Sequence, residues 1–145
     1  MSIAKVIIHA VWATKNRVPM IRPEWEDILF LNMQEQFEKM GCEVLMINGM
    51  EEHVHCLFSM GRSHSIAEII KQVKGESSFY MNSLALSENP FEWQKGYAAF
   101  SVNEKNYDRL YEYILNQKEH HENNSMNEIF ELPPLRIQMV PVEEI

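Results

Sequence analysis

Two histidines one residue apart, His53 and His55, stand in the stretch GMEEHVHCLFSM. Imidazoles are common metal ligands. In a strand, residues i and i+2 point to the same side. Val54, Cys56 and Phe58 alternate with the histidines, so the stretch reads as a strand whose apolar side faces a core. The two imidazoles then lie on the opposite face, about 7 Å apart along the strand. Side chains so spaced can converge on one divalent ion. A bare His-x-His fits equally well two imidazoles that hydrogen-bond within the fold. A third ligand and a reactive group would give the pair a chemistry.

Near the other end, YEYILNQKEHH offers both. Tyr113 and Gln117 are i and i+4, which stacks them on one helical face, with Leu110, Ile114 and Tyr107 forming a neighbouring apolar stripe. The Gln117 oxygen and two imidazoles would make a three-residue site for a hard or borderline ion such as Mg²⁺ or Mn²⁺, with positions left for phosphate oxygens and water. The ion would polarise a phosphate and Tyr113 would attack it. Taken alone, Tyr113 also reads as a ring packing on an amphipathic helix. Cys56 cannot share a site with His55, because adjacent strand residues point apart. His9 has the parity of Ile7 and Val11, near the site but with no assigned role. His120 and His121 read as partners of a helix C-terminal dipole.

The elements that must position these residues follow from periodicity and breakers. Residues 4–14 read as a strand. Pro19 and Pro23 punctuate a turn, and Glu24–Met40 reads as a helix stopped by Gly41. Residues 42–50 and 52–60 read as a hairpin. Ser65 with Glu68 forms a capping box for a helix over Ile66–Leu84. Trp93–Val102 alternates as a fourth strand, and Asn103 caps a helix expected to run to about His121. The order β-α-β-β-α-β-α predicts an α+β, ferredoxin-like (split βαβ) antiparallel sheet with an added C-terminal helix carrying the tyrosine. Such a sheet can bury one face and leave the histidine face open. Trp12, Trp25 and Trp93 read as core or interface anchors, and Phe79 and Tyr80 as core. Residues 1–122 are expected to form one domain, and 123–145 a tail of the same domain.

The bulk numbers agree with a soluble domain. The chain has 145 residues, 46% of them hydrophobic and 23% charged, which suffices for a real core. No apolar run approaches the roughly 20 residues needed to span a bilayer. The N-terminus alternates like a strand and lacks a small-residue cleavage site, so it reads as mature structure. Two cysteines, Cys42 and Cys56, make no disulfide framework and predict a cytoplasmic protein. A net charge of −8 argues against non-specific nucleic-acid binding by the whole surface. The first 22 residues, however, carry Lys5, Lys15, Arg17 and Arg22 and no acid.

HAVWATKNRVP, EEHVHCLFSM, VKGESS, WQKGYAAFSV and YILNQKEHH occur in this order and at these spacings. Together they resemble the single-tyrosine HUH transposases of bacterial insertion sequences that move as single-stranded DNA, over nearly the whole chain to about residue 122. The resemblance implies that His53 and His55 are the paired metal ligands, Gln117 the third, and Tyr113 the nucleophile. It implies cleavage and rejoining of single-stranded DNA, hairpin-forming in its ends, through a 5′-phosphotyrosine that leaves a free 3′-OH and needs no ATP. It also implies a homodimer in which Tyr113 can meet the histidine pair of the other subunit. On this reading Lys15, Asn16 and Arg17 hold the DNA backbone, with Lys71 and Lys74. The rival is an inactive relative that holds hairpin nucleic acid as a regulator. The presence of all four of His53, His55, Tyr113 and Gln117 speaks for the enzyme.

Overall fold

The computed structural model describes residues 6–122. Four strands, β1 (Val6–Ala13), β2 (Glu43–Gly49), β3 (His53–Met60) and β4 (Ala98–Val102), form one sheet in the order β2-β3-β1-β4. Every pairing is antiparallel. Helix α1 (Glu26–Lys39) joins β1 to β2, α2 (Ile66–Ser83) joins β3 to β4, and α3 (Glu104–Leu115) and α4 (Gln117–Glu122) follow β4. This is the ferredoxin-like arrangement expected from the element order. The tail from residue 123 and the start of the expected first strand lie outside the described residues. Among the described residues no helix is long and apolar enough to cross a membrane.

The alternation in β1 and β3 sorts side chains to two faces. Ile8, Ala10, Trp12, Val54, Cys56 and Phe58 meet Leu29, Met33 and Phe37 of α1 and Ile69, Ile70 and Val73 of α2 in the main core. Ser65 and Glu68 close the capping box that starts α2, as the sequence predicts. Both cysteines are buried thiols, and burial pushes that of Cys56 well above its ordinary range. Trp12 lies in this core with Trp93 edge-on to it, their ring centroids 5.9 Å apart. Trp25 is partly buried against the same core.

Three expectations need correction. Phe79 and Tyr80 are not core: Phe79 is 73% exposed and Tyr80 38%, because the inward stripe of α2 runs through Ile69, Ile70, Val73, Ser77 and Met81. The fourth strand is half the expected length. Gly96, at φ 94°, interrupts the alternation, and Trp93 keeps only an isolated bridge to Thr14. The helix after Asn103 is not continuous. It stops at Asn116, whose φ and ψ of −98° and 25° are non-helical, so Tyr113 and Gln117 belong to different helices.

Candidate active site

The second face of the sheet carries His9, Val11 and Ala13 from β1 opposite Leu57, His55 and His53 from β3. It is not open. Helix α3 packs Leu110 and Ile114 onto Leu57, and both histidines are fully enclosed, His53 at 1% and His55 at 0% exposure. Tyr113 is 6% exposed, and its ring stands edge-on to His55 with centroids 6.3 Å apart. Gln117 is buried as well, and its Oε1 lies 3.2 Å from His53 Nε2. The sheet face therefore brings together all four residues singled out from the sequence, within one chain. The tyrosine helix lies on its own sheet.

The hairpin before β3 explains how His53 is held. Gly49 approaches the turn so closely that a Cβ there would collide with the His53 carbonyl oxygen, so only glycine fits. Met50 N–H donates to that same carbonyl. His53 Nδ1 donates to Glu52 Oε1 at 2.7 Å. This bond draws the Glu52 carboxyl below its usual range, against the opposing effect of burial. It also fixes the tautomer: with Nδ1 protonated, the Nε2 of a neutral imidazole presents its lone pair. That lone pair then faces the Gln117 oxygen, another acceptor. A cation between them, a proton on Nε2, or a half-turn of the carboxamide that presents its NH2 to Nε2 resolves this.

His55 is held differently. Its Nδ1 lies 2.8 Å from His9 Nε2, and the two rings stack with centroids 5.1 Å apart. For His55 to offer Nε2 as a ligand, its Nδ1 must carry the proton and donate to His9. The donor set thus suits a divalent ion. Two imidazoles each have their second nitrogen engaged by a neighbour, the usual support of metal-bound histidine. Adjacent ligands of an octahedral ion at about 2.1 Å stand about 3 Å apart, close to the His53–Gln117 separation. Among the described residues no group of three His, Cys, Asp or Glu side chains could hold a metal; Gln117, a carboxamide, is of none of these types.

The proposed DNA contacts divide. Lys15, Asn16 and Arg17 form one 3-10 turn after β1, with Asn16 and Arg17 both at left-handed φ (56° and 54°). Lys15 pairs with Glu92 at 3.0 Å, and Arg17 with Glu52 at 3.6 Å. Asn16 N–H donates to Gln94 Oε1. All three are surface residues, as expected, and Arg17 reaches the carboxylate that holds His53. Lys71 is exposed and lines a shallow groove with Lys95. Lys74 is a correction. It is buried, and its Nζ donates to the carbonyls of Gln94 and Gly96 at 2.6 and 2.7 Å. Its charge pins the loop before β4, leaving the basic surface to others.

Sequence reasoning gave no role to His9, Glu52 or Asn48. His9 had the correct parity, but only strand register sets it diagonal to His55. Asn48 pairs with His55 across β2 and β3, and its Nδ2 donates to the Ile114 and Leu115 carbonyls at 3.0 and 3.1 Å. Nothing in the local pattern of EVLMING distinguishes that asparagine from an ordinary turn residue.

Fold and site together define a small α+β protein in which a tyrosine faces a His-x-His pair across one sheet surface. The family model "Transposase IS200 like" matches residues 2–117, and the chain belongs to that transposase family. ISDra2 transposase TnpA of Deinococcus radiodurans is 26% identical over 114 residues, covering 75% of this chain and 81% of that protein. A crystal structure assigned as a transposase from Deinococcus radiodurans R1 superposes with a TM-score of 0.64 at 27% identity, over 80% of this chain and 93% of the other. The structure of a REP-associated tyrosine transposase bound to a REP hairpin shares the fold, with a TM-score of 0.65 at 15% identity, over 83% of this chain and 71% of that one.

Proposed function

We propose that this transposase-family protein cuts and rejoins single-stranded DNA through Tyr113, with Mg²⁺ or Mn²⁺ bound by His53, His55 and Gln117. The observation that carries the reading is the convergence of His53 Nε2 and Gln117 Oε1 at 3.2 Å beside the ring pair His55–Tyr113. When bound, the ion would polarise the scissile phosphate and offset its charge. The chain's own groups do the rest. The Tyr113 phenol oxygen attacks phosphorus and loses its proton. The P–O bond to the 3′ oxygen breaks, and that oxygen gains a proton as a free 3′-OH. The new Tyr113–phosphate ester keeps the 5′ end. A 3′-OH attacking that ester reverses the sequence, so one bond replaces another and no ATP is used.

The substrate proposed is single-stranded DNA with hairpin-forming ends. Support comes from the family and from the hairpin held by the fold neighbour. Lys15, Arg17 and Lys71 would meet the backbone. The protein is proposed to act as a homodimer, since β2 and β4 are sheet edges and an uncovered edge invites pairing. The test is incubation with single-stranded DNA from the flanks of its own gene and a divalent ion, followed by a denaturing gel. A covalent adduct on Tyr113 is expected. No adduct under any ion with any flank would remove the reading.

A further inference from the structure

The break between α3 and α4 lies at Asn116, between the tyrosine and the glutamine. A helix end leaves its last carbonyls without intrahelical donors. Here two of them, on Ile114 and Leu115, receive both hydrogens of one amide, the Nδ2 of Asn48. Asn48 stands beside His55 in the sheet, on the same face. Lys118, the residue after Gln117, closes the other side. Its Nζ donates to Asn48 Oδ1 at 3.3 Å and to the Gly49 carbonyl at 2.9 Å, and it pairs with Glu26 Oε2 of α1 at 2.9 Å. One side chain of β2 thus ties the end of the tyrosine helix and the start of the glutamine helix to the strand that pairs with the histidines.

We propose that Asn48 is a positioning residue for this site: with Lys118 it forms a clamp that sets Tyr113 and Gln117 against His53 and His55. The physical reason is leverage. Tyr113 and Gln117 flank a non-helical residue, so backbone hydrogen bonds of one continuous helix do not fix their separation, and the clamp is a polar link that spans the joint. Glutamine is a neutral, flexible ligand, so its contribution depends on how well its backbone is held. The inference rests on the proposed function.

Two substitutions test it. Asn48→Asp is isosteric but cannot donate to the two carbonyls, and it sets a negative charge against the negative end of α3. Lys118→Met removes the other half of the clamp from a half-exposed side chain. Three quantities are measured below each variant's melting temperature: Mn²⁺ affinity by calorimetry, single-turnover adduct formation at saturating single-stranded DNA, and DNA affinity. Asn48→Asp is expected to weaken Mn²⁺ by about tenfold, the low end of what losing a direct partner of a ligand costs, because Asn48 acts through the backbone that carries Gln117, and to slow adduct formation similarly. DNA affinity should hold, and Lys118→Met should shift the same two quantities by less. A merely structural role would lower the melting temperature and leave both at parental values in the folded protein. That result, with His53→Ala still inactive, overturns the clamp and spares the proposed function. A parent protein with neither Mn²⁺ binding nor adduct overturns the proposed function, and the clamp with it.

Discussion

The two faces of the sheet are built by the same strands and held by different forces. On the α1/α2 face, Ile8, Trp12, Val54, Cys56 and Phe58 interlock with helix side chains in an apolar core, and the rings of Phe37 and Phe58 pack with centroids 4.6 Å apart. On the α3 face the apolar contact is smaller: Leu57 with Leu110 and Ile114 and a partly buried fringe, and a separate cluster of Val11, Ala13 and Ala98. Directional bonds take over there: His53 to Glu52, His9 with His55, and Asn48 to the end of α3. Apolar burial is non-directional and tolerates small shifts. A polar network fixes angles, and each buried member that loses its partner is left costly. One face therefore supplies stability and the other supplies geometry.

Substitutions on the two faces should separate those roles. The largest effect expected is from Tyr113→Phe: adduct formation on a denaturing gel should fall to background, with the far-ultraviolet spectrum retained. Persistent adduct would shift the nucleophile to another residue, with Tyr111 the next to examine. Next comes His53→Ala with His55→Ala. This should abolish both the Mn²⁺ heat signal in calorimetry and the rescue of EDTA-treated protein by added metal. Hairpin binding should survive in a gel-shift assay, because interactions with phosphate dominate such affinity. The burial of His9 adds a cost, about 1–3 kcal/mol, because a buried polar group loses its hydrogen bond to His55; Glu52 is partly exposed and keeps Arg17.

Phe58→Ala probes the opposite face. It should lower stability by about 3–5 kcal/mol in urea unfolding and leave the Mn²⁺ affinity of the folded fraction at the parental value. An equal drop in metal affinity would show that the faces are not separable. Among the lysines, Lys74→Met should cost about 1.5–3 kcal/mol of stability, as removal of charged hydrogen bonds does, and leave the salt dependence of DNA binding unchanged. Lys15→Ala with Lys71→Ala should do the reverse. Unfolding should hardly move, while the slope of log K against log salt should flatten by about 0.7 for each phosphate of single-stranded DNA that is no longer neutralised. An unchanged slope would put the DNA backbone elsewhere on the surface.

The sequence by itself determined the order of the elements and the two faces of the histidine strand. The period of two in HVHCLFSM separates Val54, Cys56 and Phe58 from His53 and His55 whatever the rest of the chain does, since pleating is local. The Ser65–Glu68 capping box is equally local, and so is the stop at Gly41. The order of strands and helices then limited the architecture to few choices, and the split βαβ sheet is the one observed. Spacing also brought Tyr113 and Gln117 to the histidines, although through a broken helix rather than one helical face.

Tertiary structure decided what depends on register and on distant partners. His9 becomes a neighbour of His55 only because Val11 sits opposite His55 in the β1–β3 pairing. Asn48 reaches α3 across 66 positions in sequence. Lys74 looked like a surface cation until the loop at Gln94 and Gly96 folded over it, where two carbonyls offset the burial of its charge. Phe79 looked like core, but its position on α2 faces away from the sheet. Burial of a polar or aromatic side chain is settled by which surface arrives above it, and that surface is contributed by residues far away in the chain.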